Sequence, residues 1–154
     1  MKFELIVLGK TNEEYLAAGI ADFQKRLQRY CQVTIKTVKE RRGRIADKAR
    51  LREEGSQLLA QVAADSLIVA LDRTGRQLSS LELAENIGRW RDSGKRVVTF
   101  IIGGPLGLSP EVLERAAMVI SLSKMTFTHE MARLLLFEQL YRGFAILAGT
   151  KYHK

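Results

Sequence analysis

The sequence predicts an α/β fold built on a mostly parallel sheet. Three observations predict it. Short, nearly continuous apolar runs recur at residues 2–9, 66–71 and 96–102, the pattern of strands buried on both faces. Segments with helical spacing alternate with these runs along the whole chain. Glycines follow the runs directly, at Gly9 and at Gly103-Gly104, where a strand ends and a loop begins.

Taken in order, residues 2–9 form the first strand. Thr11 or Asn12 caps a helix running to about Tyr30, with Tyr15, Leu16, Gly19, Ile20, Phe23 and Leu27 on one face. Residues 33–38 alternate apolar and polar, as a half-exposed strand does. A basic loop follows, and then a helix over about residues 47–64 with Leu51, Leu58, Leu59 and Val62 inward. Residues 66–71 are a central strand and 72–76 a turn. Ser79 or Ser80 caps a helix that ends near Gly94, with Glu82 in its first turn. The strand at 96–102 runs into Gly103-Gly104-Pro105-Leu106-Gly107. Ser109-Pro110 opens a short helix, residues 118–122 form the last strand, and a long helix spans about 128–147. Gly149 breaks it before a short tail. The 154 residues and two prolines suit one domain, with no repeat or linker.

Composition narrows the function. The net charge of +8 favours a polyanionic partner, although solubility alone is an equally open reading. Residues 36–52 hold eight Lys or Arg against two acids. They are the candidate phosphate contact, Arg41, Arg42 and Arg44 foremost, or else a solvated basic face. Cys31 is the single cysteine and the two histidines are His129 and His153. An internal disulfide is thereby excluded and a protein-bound metal site is not expected. The N-terminal run is too short for a signal peptide and carries Glu4. No stretch reaches the ~20 apolar residues of a membrane span. A cytoplasmic protein is expected.

Four segments can carry chemistry, and each also has a plain structural reading. Glycines at the end of a buried strand let a ligand approach the backbone at the sheet edge, as at Gly103 and Gly104; a tight turn explains them equally. The loop of Leu122, Ser123, Lys124, Met125, Thr126 and Phe127 offers backbone groups to the edge of an adenine ring; loop and cap roles for Thr128 and His129 are the alternative. Glu138 and Arg142 lie on an otherwise apolar helix and either pair with each other or face a cavity. Tyr152-His153-Lys154 can stack on a base and touch phosphate, or simply trail. The long helix is apolar nearly all round, so it needs cover on two sides. A homodimer supplies that cover, or the chain's own neighbours do.

The wording and order of five motifs carry a resemblance. Leu71-Asp72-x-x-Gly75 comes first. Phe100-Ile101-Ile102-Gly103-Gly104-Pro105-x-Gly107-Leu108-Ser109 and Leu122-Ser123-x-Met125-Thr126-Phe127-Thr128-His129 follow. Arg133-Leu134-Leu135-Leu136-Phe137-Glu138-Gln139-Leu140-Tyr141-Arg142 and Tyr152-His153-Lys154 complete the set. Together they closely resemble the RlmH family, the ribosomal large-subunit pseudouridine N3-methyltransferases of the SPOUT class. The resemblance runs the full length. Phe127-Thr128 stand where relatives often carry leucine and proline, which bears on loop shape.

The resemblance implies a SPOUT-type mostly parallel sheet with helices on both faces, a C-terminal trefoil knot and a homodimer. It implies S-adenosylmethionine as cofactor, held by Leu71, Gly103, Gly104 and residues 122–127. The implied target is N3 of a pseudouridine in helix 69 of 23S ribosomal RNA, within the assembled ribosome. His129, Arg133, Arg142, Tyr152 and His153 are the candidate catalytic groups; which of them takes the N3 proton stays open. Two rivals remain. A non-catalytic RNA-binding factor would share the charge but leave the glycine turn and the 122–127 loop without purpose. A Rossmann-type enzyme would place its glycine turn after the first strand.

Overall fold

The computed structural model describes residues 1–40, 43 and 46–153. Five strands alternate with five helices: β1 (Lys2–Leu8), α1 (Glu14–Leu27), β2 (Gln32–Val38), α2 (Asp47–Leu59), β3 (Leu67–Gln77), α3 (Ser80–Asp92), β4 (Val97–Ile102), α4 (Pro110–Arg115), β5 (Met118–Ser121) and α5 (His129–Leu147). A 3₁₀ turn, Lys151–His153, follows α5. The strands form one sheet in the order β2-β1-β4-β3-β5, and every pair is parallel.

Alternation along β1 divides the interior. Phe3, Leu5 and Val7 join Ile20 of α1, Ile87 of α3 and Phe137 and Leu140 of α5 in the larger core. Ile6 and Leu8 face the other way, onto Leu58 of α2 and Val112 of α4. Helices therefore cover both faces, as a parallel sheet requires. Each apolar side chain so buried stabilises the fold by about 1.5–3 kcal/mol.

Several boundaries differ from the sequence reading. Helix α1 stops at Leu27 rather than Tyr30, and α2 at Leu59 rather than Ala64. Tyr15 was expected inward but is 65% exposed, because Leu16 and Ile20 take the sheet-facing positions. Neither Thr11 nor Asn12 caps α1. The N-cap position is Glu13, whose side chain makes no capping bond; the carboxylate of Glu130 on α5 serves instead, accepting from the backbone N–H of Asn12 (2.9 Å) and Glu13 (3.1 Å). Residues 72–76 are not a simple turn. They lie inside β3, where the register against β5 breaks between Leu71 and Arg76. Gly75 is needed there, since a Cβ would meet the Ile120 backbone at 2.6 Å. The expected caps at Ser79, with its reciprocal Glu82, and at Ser109 with Pro110 are present.

The basic segment is only partly a free surface. Lys36 is committed to the buried Glu4 at 2.8 Å, and Arg50 donates to the Gly43 carbonyl at 2.7 Å. Arg41, Arg42 and Arg44 lie outside the described residues. No helix among the described residues is long and apolar enough to cross a membrane.

Candidate active site

The bulged middle of β3 and the C-terminal ends of β4 and β5 open onto one cavity of about 840 Å³. Three chain segments wall it. The first is the middle of β3, Leu71 with Asp72, Arg73 and Thr74. The register break takes these polar residues out of the pairing with β5, and the Asp72 carboxylate fixes their shape. Its Oδ1 accepts from the Thr74 backbone N–H at 2.9 Å and from the Thr74 hydroxyl at 2.6 Å.

The second wall is the glycine turn after β4. Gly107 N–H donates to the Gly104 carbonyl at 3.0 Å, and Gly107 sits at φ +83°, a conformation that glycine adopts without strain. Gly103 is pressed against this turn: a Cβ there would stand 2.1 Å from the Gly107 carbonyl oxygen. The backbone thus doubles back on itself with no side chain between, leaving peptide groups bare at the cavity.

The third wall is the loop between β5 and α5. Its own serines hold it. Ser121 Oγ donates to the Ser123 carbonyl (2.9 Å), and Ser123 Oγ accepts from Met125 N–H (3.0 Å). Thr128 then caps α5, its hydroxyl accepting from Met131 N–H at 3.2 Å. Met125 is 75% exposed and Phe127 39%, an apolar lip over an otherwise polar loop.

The expected cofactor residues Leu71, Gly103, Gly104, Leu122, Ser123, Met125, Thr126 and Phe127 all line this cavity. Lys124 does not: its exposed side chain is outside the lining. Asp72, Arg73 and Thr74, turn residues in the sequence reading with Asp72 also in the first family motif, line the cavity too. A polar triplet directly after a buried strand, at the sheet edge where α/β ligands bind, was the available signal.

The five expected catalytic residues do not converge within one chain. His129 lines the cavity at the start of α5. Arg133, one turn on, is 2% exposed and points away from it, donating to the Leu8 carbonyl and to Thr11 Oγ1. Burial pushes its guanidinium pKa down, while Glu130 and Glu40 oppose that shift. Its geometry ties α5 to the end of β1. Arg142 lies roughly 20 Å along the helix from His129, at 1.5 Å per residue. There it pairs with Glu138 at 2.6 Å, the pairing read from the sequence, which raises its pKa. Tyr152 folds back onto this pair. Its hydroxyl reaches Glu138 Oε1 at 3.3 Å and its ring lies 4.9 Å from the Arg142 guanidinium carbon. Burial, and then the Glu138 charge, push the Tyr152 phenol up. His153 closes the 3₁₀ turn.

Comparison with known proteins decides the family. The family described as "Predicted SPOUT methyltransferase" matches residues 1–153. A protein of Desulfotalea psychrophila named "Ribosomal RNA large subunit methyltransferase H" is 49% identical, with both chains covered in full. The chain belongs to the RlmH family of SPOUT methyltransferases. A protein of the same name from Syntrophotalea carbinolica is 46% identical over 99% of each chain. Solved structures agree on the fold at low identity. A probable methyltransferase from Bordetella pertussis superposes with a TM-score of 0.55 at 14% identity, covering 92% of this chain and 95% of that one. A probable methylase family protein from Haemophilus influenzae gives 0.55 at 15%, covering 99% of this chain and 70% of that one. In this RlmH-family chain the glycine turn follows the fourth strand rather than the first.

Proposed function

We propose that this RlmH-family chain transfers a methyl group from S-adenosylmethionine to N3 of a pseudouridine in helix 69 of 23S ribosomal RNA, acting on the assembled ribosome. The observation that carries the proposal is the convergence of the β3 bulge, the glycine turn and the 122–128 loop on one cavity.

The cavity suits the cofactor. Its volume lies in the range of small-molecule sites. Leu71, Ile102, Leu122 and Phe127 provide apolar surface for a purine, and the bare Gly103–Gly107 backbone provides close-lying peptide groups. When bound, S-adenosylmethionine supplies an electrophilic methyl carbon activated by the adjacent positive sulfur. The chain then has to hold the nucleophile in line and manage one proton. His129 stands on the cavity rim for that task.

Arg142, Tyr152 and His153 act from a second copy of the chain in this reading. Support comes from α5. Leu134 packs against Gly19 of α1, and Gly143 against Ile87 of α3. Met131, Leu135, Glu138, Arg142 and Ile146 form a remaining stripe that stays only half-buried. A homodimer across that stripe covers it and brings the far end of one α5 towards another subunit's cavity. The cationic arginine would stabilise the deprotonated base. The exposed Lys39, Lys48 and Arg52, with the net charge of +8, supply the attraction to ribosomal phosphate. The threading of the cofactor loop as a trefoil knot belongs to the same proposal.

The test is methyl transfer from labelled S-adenosylmethionine to assembled ribosomes from a strain lacking this protein, with mass mapping of the RNA. Methyl on N3 of a helix 69 pseudouridine is the expected result. Methyl on another nucleotide would overturn the target. Cofactor binding without transfer to any ribosomal RNA would overturn the substrate class.

A further inference from the structure

We infer that the Asp72 carboxylate recognises the positive centre of the methyl donor, so that the cavity distinguishes donor from demethylated product by charge. The inference rests on the reading of the cavity as an S-adenosylmethionine site.

Asp72 is the one acidic residue among those lining the cavity. Its two oxygens have different duties. Oδ1 is occupied by the Thr74 N–H and hydroxyl. Oδ2 accepts no hydrogen bond among the described residues, and it stands 3.8 Å from where a Cβ on Gly107 would be. The carboxylate therefore has one oxygen fixed by its own segment and the other beside the glycine turn of the second wall. The register break in β3 and the tight seat of Gly75 on the Ile120 backbone hold the bulged residues in place. A pre-positioned, half-buried anion interacts more strongly with a fixed charge than a fully exposed surface carboxylate does.

The chemistry of the two ligands makes the assignment testable. S-adenosylmethionine carries a permanent positive charge on sulfur. Transfer of its methyl group as an electrophile leaves the bonding pair on sulfur, and S-adenosylhomocysteine is a neutral thioether there. Ribose, adenine, amine and carboxylate are the same in both. A carboxylate that served the ribose hydroxyls, or that merely shaped the loop, would favour donor and product equally. One that faces the sulfur charge favours the donor and lets go of the product after transfer.

The experiment is calorimetric titration of the full-length chain and of Asp72→Asn with S-adenosylmethionine and, separately, S-adenosylhomocysteine. Asn keeps an Oδ1 acceptor for Thr74 and replaces the charged Oδ2 with a neutral amide group of the same shape. The expected result is a rise of about tenfold in the donor's Kd, or ~1.4 kcal/mol, with the product's Kd unchanged. A second measurement needs no variant: raising salt should weaken the wild-type chain's preference for donor over product. Equal loss of both ligands in Asp72→Asn, no loss of either, or a salt-independent preference overturns the charge role. A wild-type chain that binds neither ligand overturns the cofactor reading itself.

Discussion

Glu130 caps a helix to which it does not belong: its carboxylate accepts from the backbone N–H of Glu13, 117 residues earlier, at 3.1 Å. The Asn12 N–H and side-chain amide complete the set. One turn on, Arg133 holds the Leu8 carbonyl and Thr11. Two neighbouring charges on the first turns of α5 thus fasten the whole connection from β1 to α1. Thr128, His129 and Ala132, on the same turns, line the cavity. The cofactor wall is in this way anchored to the N-terminal strand.

The cap carries a pH signature. Burial opposes the charged form of Glu130, but the Glu13 and Asn12 donors outweigh it and hold the carboxyl below the usual range. A folded-state pKa below the unfolded one stabilises the fold above the unfolded value, near 4.3 for glutamate, and that contribution is lost as pH falls through the folded value. Glu130→Ala should cost about 1–2 kcal/mol at neutral pH. In thermal melts from pH 7 down to 3, Glu130→Gln should show a shallower loss of stability than the wild type. An unchanged acid limb would show that the cap contributes nothing.

The glycine turn predicts a contrast between neighbours. Gly103→Ala forces a methyl group to within 2.1 Å of a backbone oxygen, which no rotamer change relieves. At Gly104 a Cβ meets only Leu8 Cδ1, at an ordinary 3.5 Å. Gly103→Ala should therefore distort the turn and weaken S-adenosylmethionine binding by tenfold or more, a loss of about 1.4 kcal/mol or greater. Gly104→Ala should leave stability within about 0.5 kcal/mol of the wild type. Equilibrium titration and melting curves on both variants check this; equal effects would contradict the geometry.

The sheet and its strand sequence were legible because parallel strands buried on both faces leave unmistakable apolar runs, as in residues 97–102. The caps at Ser79 and Ser109 were legible because capping is local. Glu130 as the cap of α1 was not, since nothing near residue 13 in sequence reveals a partner 117 positions away. Asp72 was misread for a related reason: a Gly-containing polar stretch marks a turn locally, and only the pairing of both flanks, Leu71 and Arg76, with Ile120 shows a break within a continuing strand. The separation of Arg142 from His129 followed from helix length alone, but the direction in which Arg133 points depended on where β1 ends.

Cys31 offers a probe of global unfolding. It is buried in the larger core, and burial pushes its thiol up to about 12. Only the thiolate reacts with disulfide reagents. At pH 8 the native chain should label at least a hundredfold more slowly than the urea-unfolded chain, since an unperturbed thiol near 8.5 is partly ionised there. The labelling rate should track the fraction unfolded through the urea transition. Rapid labelling of the native chain would mean that the β2 edge opens locally.

Tyr152 tests whether the tail shapes its own helix or acts elsewhere. Within the chain its ring meets Tyr141 edge-on at 4.6 Å and covers Arg142, while Glu138 and Arg142 already satisfy each other at 2.6 Å. Removing residues 152–154 uncovers aromatic surface but leaves the ion pair closed, so the loss of stability should be about 1 kcal/mol. Cofactor affinity should be unchanged, because no described tail residue lines the cofactor cavity of its own chain and the proposed role in the partner's cavity is on the RNA side. Turnover on ribosomes should fall by a hundredfold or more, about 2.7 kcal/mol of transition-state stabilisation. Tyr152→Phe, which keeps the ring and loses only the 3.3 Å bond to Glu138, separates the two contributions. Activity close to wild type in that variant would assign the tail's effect to its aromatic face or to His153. Full turnover in the truncated chain, measured with saturating S-adenosylmethionine, would remove the tail from the reaction and leave His129 as the candidate group nearest the cavity.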